Sequence, residues 1–376
     1  NCNKEILADE KQLPVNPLAD KPLKKCSCGS NEFTGEKDIL NTWFTSSMTP
    51  QIAIKLVPEK IQEKLFPMDV RGHAHEIITF WSFNTIFKSN IHFNNNPWKN
   101  LMISGFVTIE GEKMSKSRGN IIAPQEVLEK YGADALRYWA SSSKLGEDTD
   151  YQEKEVVTGK KFITKIFNAS RFIFLDLKEI KKPKKLEEID RLLLSKLNKV
   201  IEQATASFEN YEYSRAKQET DRFFWHIFCD NYLELVKYRI YNNNKHEKES
   251  ASYTLYNSLL AILKLFAPFT PFITEELYQS HFKKHEKEKS IHLTNWPEQF
   301  EVKKEKQDEE IFELLLDVIK KVREEKSKNK KSMKAEIVLF LEKDRQEKLK
   351  DVLKDLKAVA NAKSIKEGEF RVEFVF

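Results

Sequence analysis

Residues 113–120 read KMSKSRGN and follow the apolar run LMISGFV at residues 101–107. The octamer contains two lysines, one arginine, two serines and one glycine, so it is strongly cationic. The apolar run predicts a buried strand. Because α/β folds bind ligands at the carboxyl ends of parallel strands, a cationic loop at this place favours a phosphate site. A solvated surface loop is the alternative, and it suits most lysine-rich octamers.

The residues around this loop predict a βαβ unit. Segments PMDVRG (67–72) and NLMISGFV (100–107) are typical of short buried strands, and AHEIITFWSFNTIFKS (74–89) between them has a helical pattern. Strand, helix and strand in this order imply a parallel sheet. Residues 124–141 predict a helix that begins at a proline, a Tyr-Gly break and a second helix.

The rest of the chain predicts an all-α region and a small α/β appendage. A polar bridge, LGEDTDYQEKE (145–155), is followed by helical periodicity to about residue 282. Near the end, KAEIVLFLEK (334–343) and FRVEFVF (370–376) are typical of strands around a helical stretch. We assign three apolar stripes to the core of a helix bundle: Leu192, Leu193, Leu197, Val200, Ile201, Ala204 and Phe208; Phe223, Phe224, Ile227, Phe228, Leu235 and Val236; Leu255, Leu259, Ile262, Leu263 and Phe266.

Composition limits the class of protein. The 376 residues suffice for two or three domains, and no apolar segment approaches the length of a membrane span. The net charge of +5 is small beside 63 basic and 58 acidic residues, so a nucleic-acid surface requires local clustering. Three of the four cysteines lie in the first 28 residues, which favours a metal site in a reduced compartment, the cytoplasm, over disulfides. Starting at Asn1 without a signal sequence, the chain is expected to be a fragment or processed product.

GEKMSKSRGN (111–120) resembles the second signature of class I aminoacyl-tRNA synthetases. The surrounding sequence resembles the valyl branch of that family, most closely its archaeal and eukaryotic members. The matching segments are DILNTWFTSS (38–47), HEIITFW (75–81), YGADALRYW (131–139), FNASRFI (167–173), LLAILKLFAPFTPFITEELY (259–278) and IHLTNWPE (291–298).

The resemblance implies an α/β plus all-α architecture. It comprises the second half of a Rossmann-type nucleotide-binding domain, an anticodon-binding helix bundle and the small α/β appendage. The implied domains are a partial zinc knuckle (1–38), the half Rossmann domain with the lysine loop (39–123), a stem-contact linker region (124–155), the anticodon-binding bundle (156–300) and the appendage with its leading helix (301–376).

The resemblance also implies roles for individual residues. It makes Lys113 and Lys116 catalytic, through contacts with the phosphates of ATP, which magnesium would accompany. Trp43, Ile77 and Trp81 would form the wall of the valine pocket. The implied ATP-binding residues are Gly105, Met114, Ser115, Ser117, Glu76 and His75, and the implied tRNA-binding residues are Lys161, Lys165, Asn168 and Arg171.

Several pocket residues have a second interpretation or depart from the family pattern. Ile77 and Trp81 are four residues apart, which would place them on one helix face, and ordinary core packing is the interpretation that the residues favour without the family resemblance. Glu76 and Asn41 each replace an aspartate that is usual in the family.

The cysteines near the start resemble two halves of a zinc knuckle. Cys2, Cys26 and Cys28 supply three thiols, whereas such knuckles usually need four ligands, and the fourth is expected just before Asn1. Three incidental thiols are the alternative interpretation.

The implied activity is the ATP-dependent activation of valine and its transfer to the valine-accepting tRNA, by a monomeric enzyme without membrane contact. The first class I signature, a HIGH-like tetrapeptide, and an editing insertion do not occur in these residues. We therefore expect the chain alone to be inactive. An isoleucyl enzyme and a non-catalytic tRNA-binding relative remain as alternatives.

Overall fold

The computed structural model describes residues 2–175, 177, 180–242 and 244–375, and of Lys116 it describes the backbone alone. The chain forms two compact units, residues 1–103 and residues 104–376. Among the described residues, no helix is both long enough and apolar enough to span a membrane.

The first unit begins with a loop-rich segment whose regular structure is one 3-10 turn, Glu10–Gln12. A 3-10 turn at His75–Ile77 and a π-helical segment at Ile78–Ser82 lead directly into its longest helix. The regular elements are α1 (Thr42–Ser46), α2 (Thr49–Lys55), α3 (Glu59–Leu65), β1 (Met68–Ala74), α4 (Phe83–Phe93) and β2 (Trp98–Ser104).

The two strands of the first unit pair with each other, with the helical segment between them in the chain, as the sequence predicts. The prediction that both strands are buried is wrong. In β1 only His73 is buried, and in β2 only Trp98. The physical reason is that the side chains of a strand point to the two faces of its sheet, so their burial depends on what covers those faces and not on the apolar content of the strand.

The second unit begins with a small three-stranded sheet and continues as a helix bundle. The elements are β3 (Val107–Ile109), β4 (Glu112–Lys113), α5 (Pro124–Tyr131), α6 (Ala133–Ala140), β5 (Thr149–Asp150), α7 (Glu153–Leu175), α8 (Glu188–Glu209), α9 (Tyr213–Arg222), α10 (Leu233–Tyr241), α11 (Lys245–Phe266), α12 (Pro271–Leu277), α13 (Asp308–Lys328), β6 (Ile337–Leu341), α14 (Lys343–Lys348), α15 (Leu353–Val359), β7 (Ala362–Glu367) and β8 (Arg371–Phe374). The strand order in the first sheet is β4-β3-β5, and in the sheet of the appendage it is β7-β6-β8.

The bundle core follows the three predicted stripes. All of their members are buried except Phe208 and Ile227, which are half-buried at its border. The second stripe does not lie on one regular α-helix, because Phe223–Tyr232 is π-helical. The helix pair predicted at residues 124–141 is present as α5 and α6, separated at Gly132, whose φ of +86° favours glycine.

Hydrogen bonds join two of the segments that resemble the family, residues 131–139 and residues 259–278. Asp134 in α6 accepts hydrogen bonds from the backbone N–H groups of Phe272 and Ile273, at 3.3 and 2.6 Å. These amides lie at the start of α12, where no helical partner exists for them. Arg137, one turn later, donates to the carbonyl oxygens of Pro268 and Phe269. The pair therefore fastens α6 to the end of the bundle.

The appendage packs on the bundle through a buried charge network. The side chain of Arg239 in α10 is 1% exposed and donates to Asp190 of α8 at 2.8 Å and to Asp355 of α15 at 2.7 Å. Tyr232 and Ser250 donate to the same Asp190 carboxylate. The network thus joins four helices, α8, α10, α11 and α15.

Candidate active site

The lysine loop starts from a hairpin. Strand β3 pairs antiparallel with β4, with Thr108 opposite Lys113 and Ile109 opposite Glu112. The two turn residues, Glu110 and Gly111, have φ of +53° and +79°, which a two-residue hairpin of the common right-twisted type requires. The expectation of a loop directly at the end of a parallel strand is therefore wrong, because this turn reverses the chain first.

Asn120, which the sequence interpretation did not single out, closes the loop. Its Oδ1 accepts from the backbone N–H of Ser115 at 2.9 Å, and its Nδ2 donates to the carbonyl of Lys113 at 3.4 Å. The hydroxyl oxygens of Ser115 and Ser117 lie 2.6 Å apart. One side chain thus bridges the loop across its base, with Met114 half-buried inside it.

The charges of the loop have partners nearby. The Lys113 ammonium lies 3.8 Å from the centre of the Phe106 ring, and Arg118 pairs with Glu112 at 3.0 Å. The side chain of Lys116, the other predicted catalytic lysine, lies outside the described residues, although its backbone forms the start of a 3-10 turn, Lys116–Arg118. The loop therefore presents cationic side chains from a backbone that is hydrogen-bonded to itself.

Gly105 has a structural reason to be glycine. A Cβ atom there would lie 2.3 Å from the carbonyl oxygen of Glu147 and 2.6 Å from the nitrogen of Asp148. The backbone of residues 147–148 thus approaches Gly105 too closely for any side chain. Its predicted contact with ATP stays a prediction.

We expect Gly105→Ala to lower the free energy of unfolding of the chain by about 1–3 kcal/mol, because backbone must move to admit the methyl group. Urea denaturation followed by circular dichroism measures the loss. Gly72→Ala is the matched control, since the nearest atom to its Cβ, the Met102 carbonyl oxygen, lies at 4.0 Å. Equal stability of the two variants would contradict the close-approach argument.

The predicted pocket residues of the first unit lie on adjoining segments. Asn41 caps α1, accepting from the backbone N–H of Trp43 at 2.8 Å, so the asparagine performs a capping role that an aspartate could also fill. Trp43 is 37% exposed and stacks on Phe80, with ring centres 6.3 Å apart. Trp81 donates from Nε1 to the carbonyl of Ser46 at 3.2 Å, which connects α1 to the π-helical segment.

Trp81 and Ile77 do not share one α-helical face as predicted. Ile77 ends the 3-10 turn, and Trp81 lies in the π-helical segment, where the wider turn changes the angle between residues four apart. Trp81 is 5% exposed and stacks on Trp98, whereas Ile77 is half-buried. The geometry of Trp81 is that of a core residue, which agrees with the alternative interpretation of this pair.

The histidines beside them differ in environment. His73 is buried, with Nδ1 2.7 Å from the Ala74 carbonyl and Nε2 2.5 Å from the Ser82 hydroxyl. Since a carbonyl only accepts, Nδ1 carries the proton, and Nε2 accepts from Ser82. His75 and Glu76 are exposed at the start of the 3-10 turn, where a nucleotide could reach them.

The three N-terminal cysteines converge. Their Sγ atoms lie within 4.8 Å of one another, and Cys26 is 3.3 Å from both Cys2 and Cys28. Hydrogen bonds from the Cys28 backbone and from both neighbouring thiols lower the pKa of Cys26 to about 7. Thiolates are the form that binds metals.

The predicted tRNA-binding residues lie along α7. Lys161, Asn168 and Arg171 are exposed. Lys165 is half-buried, pairs with Asp230 at 3.4 Å and lies 5.5 Å from the Trp225 ring centre. Lys165 therefore has partners within the bundle and is less accessible than the other three, and the predicted tRNA contact of all four stays a prediction.

Two segments of the chain match known protein families. Residues 4–152 match the family model of class I tRNA synthetases (I, L, M and V), and residues 190–341 match the anticodon-binding domain of tRNA ligases. The chain carries part of a class I tRNA synthetase domain followed by an anticodon-binding domain. The lysine hairpin belongs to the synthetase domain, and α8 to α13 lie in the anticodon-binding domain.

Two relatives of this chain carry the same name. It is 40% identical to a valine–tRNA ligase of Rickettsia felis over 96% of the chain and 44% of the relative, and 42% identical to one of Thermoplasma volcanium over 79% and 38%. The chain thus spans about half the length of the curated relatives it matches. Its fold is similar to the LeuRS-tRNA-LeuAMS ternary complex of Agrobacterium radiobacter K84, with a TM-score of 0.60, 20% identity and coverage of 74% of this chain and 35% of that one.

Proposed function

We propose that the chain is the carboxyl-terminal part of a valine–tRNA ligase, which activates valine with ATP and transfers it to its tRNA. The observation that carries this proposal is 40% identity to valine–tRNA ligases over 96% of the chain, including the whole lysine hairpin. An isoleucyl enzyme and a non-catalytic tRNA-binding relative are the alternatives, and the relatives' names favour neither.

The first step of the reaction requires charge stabilisation more than covalent chemistry. The valine carboxylate attacks the α-phosphorus of ATP, the bond to the β,γ-phosphates breaks, and pyrophosphate leaves with the bonding electrons. No enzyme nucleophile is needed, so catalysis rests on positioning and on cancelling the negative charge that develops. We assign this role to Lys116 and Lys113, with Met114, Ser115 and Ser117 contacting the nucleotide. Magnesium would accompany ATP and neutralise part of the negative charge of its phosphates.

The finer assignments also rest on the family pattern. Trp43, Ile77 and Trp81 bound the valine side chain, and Glu76 and His75, both exposed, contact the nucleotide. Trp81 contributes through packing and its bond to Ser46 rather than through a large exposed surface. Residues 39–123 form the second half of a Rossmann-type domain.

The proposed partner is the valine-accepting tRNA. Lys161, Lys165, Asn168 and Arg171 on α7 would contact its phosphates, which position an RNA but carry no sequence information. We further propose a monomeric, cytoplasmic enzyme and a place near the archaeal and eukaryotic branch.

The cysteine cluster fits zinc. In a tetrahedral site with Zn–S bonds of about 2.3 Å, sulfurs lie about 3.8 Å apart, close to the separations of the three thiols. Cys2, Cys26 and Cys28 would hold the ion, whose part is structural, tying the first residues of the chain to the loop at residues 26–28.

We expect the full-length protein to be the form that binds zinc here, since such a site usually needs a fourth ligand, and Cys26→Ser to bind about one zinc ion fewer, because the central thiolate is lost. Elemental analysis after dialysis against zinc measures this. Cys229→Ala is the control, since Cys229 is buried in the bundle and not part of the cluster. Zinc retained at full stoichiometry in Cys26→Ser would contradict the site.

The test of function is ATP–pyrophosphate exchange by the full-length protein. We expect valine to support exchange, and isoleucine to support it about 100-fold less efficiently, because one missing or extra methylene changes binding by about 1–3 kcal/mol. The chain of 376 residues alone should show no valine-dependent exchange. Exchange with isoleucine in preference to valine would support the alternative enzyme, and no exchange with either would support the non-catalytic relative.

A further inference from the structure

Residues 149–151 support the lysine hairpin from a distant part of the chain. Strand β5 pairs in parallel with β3, and Thr108 lies opposite Asp150. The backbone N–H groups of Thr149 and Tyr151 donate to the carbonyls of Phe106 and Thr108, each at 2.8 Å. The segment that the sequence suggests is only a polar bridge is therefore a strand of the same small sheet.

The Asp150 carboxylate holds the hairpin at two points. Its Oδ1 accepts from the Thr108 hydroxyl at 3.0 Å and from the backbone N–H of Gly111 at 3.2 Å. In a two-residue hairpin the N–H of the second turn residue has no partner in the ladder between the strands. Asp150 supplies that partner, and so stabilises a turn in which Glu110 has an unfavourable positive φ.

This contact determines where the lysine loop begins. Thr108, which is 7% exposed and bonded to Asp150, lies directly opposite Lys113 in the β3–β4 pair. The two side chains share one face of the sheet, as directly opposed residues do. A change in the position or order of the hairpin turn would therefore be transmitted to Lys113 and to the residues that follow it.

We infer that Asp150 is a positioning residue for amino-acid activation: it fixes the hairpin whose second strand leads into the lysine loop. The inference rests on the proposed function. Both contacts need an acceptor oxygen rather than a negative charge. Asparagine at position 150 keeps such an oxygen, whereas alanine removes it.

The first test measures steady-state valine-dependent ATP–pyrophosphate exchange by the full-length synthetase. We expect Asp150→Ala to lower kcat about 10- to 100-fold with little change in the KM for valine, because the loop is displaced while the amino-acid pocket is not altered. Asp150→Asn should stay within about threefold of wild type, since it retains the acceptor. Glu147→Ala in the same segment is the control, because Glu147 is exposed and forms only a 3.6 Å surface pair with Lys144.

The second test is amide hydrogen exchange of the chain itself, which does not depend on activity. Faster exchange of residues 106–113 in Asp150→Ala, with protection of the bundle unchanged, would support the inference. Unchanged exchange there, unchanged kcat, or an effect on the KM for valine alone would overturn it. An Asp150→Asn variant as impaired as Asp150→Ala would overturn the acceptor role. If wild type shows no valine-dependent exchange, the proposed function fails, and hydrogen exchange still decides the role of Asp150.

Discussion

Replacement of both loop lysines, Lys113→Ala together with Lys116→Ala, is expected to reduce valine activation by the full-length protein at least about 1,000-fold. Removal of one preorganised donor that meets developing negative charge typically costs about 10²–10³ in rate, and both lysines are proposed to contact the same departing pyrophosphate. Their effects will not simply add, since both belong to one cationic loop. Valine-dependent ATP–pyrophosphate exchange measures the loss directly.

The structure describes the surroundings of Lys113, one of the two lysines for which this role is proposed. Lys113 is at the end of β4, its register is set by Thr108, and its ammonium lies over the Phe106 ring. A cation–π contact of this kind is worth about 0.5–1 kcal/mol, so phosphates can displace it. Two hydrogen bonds of Asn120 close the loop backbone.

A matched control separates local from general effects of charge. Lys60→Ala together with Lys64→Ala removes two exposed lysines from α3, and we expect exchange within about twofold of wild type, because exposed charges interact weakly. The double arginine variant of the loop should recover part of the activity, since the charge is kept but the geometry is not. Activity of the double alanine variant within tenfold of wild type would contradict the assignment of both lysines.

Arg239→Ala is expected to have the largest effect on stability, lowering the free energy of unfolding of the chain by about 3–5 kcal/mol. The substitution leaves two carboxylates, Asp190 and Asp355, in the interior without their shared cation. Tyr232 and Ser250 still donate to Asp190, whereas the one hydrogen-bond donor left to Asp355 among the described residues is Tyr238, at 3.2 Å. The packing of the appendage on α10 should therefore be lost first.

The same variant should show a specific dependence on pH. Burial raises the pKa of Asp355 to about 6, and attraction to Arg239 opposes the rise, so the pKa in Arg239→Ala should lie higher still. When the pKa of a carboxyl group is higher in the folded state than in the unfolded state, the protonated group favours folding. That contribution is complete at a pH below the pKa of the unfolded state, and it is lost as the pH rises through the pKa of the folded state. The destabilisation relative to wild type should therefore be smaller at pH 5 than at pH 8.

Urea denaturation followed by circular dichroism at both pH values measures these differences. Arg215→Ala is the matched control, because Arg215 forms an exposed pair with Glu212 three residues earlier. Its loss should change the free energy of unfolding by less than about 0.5 kcal/mol. A loss in Arg239→Ala no greater than in the control would show that the buried network contributes nothing net to stability.

The sequence predicted elements whose information is local. Leu192, Leu197 and Phe266 lie where helical periodicity expects core residues, and the proline and glycine around α5 mark its two ends. The cationic loop was visible because its residues are contiguous. The predicted strand burial was wrong, since burial depends on what covers a strand and not on its own apolar content.

The sequence by itself determined the helical bundle, the position of the lysine loop and the family, since each is written in neighbouring residues or short motifs. The tertiary structure alone decided that Asp150 reaches Gly111 across 39 residues, and that Arg239 reaches Asp355 across 116. The physical reason is that helical periodicity relates residues only three or four positions apart, so it can be recognised in the sequence alone. A hydrogen bond between distant residues exists only after parallel pairing or helix packing has brought its donor and acceptor within about 3 Å.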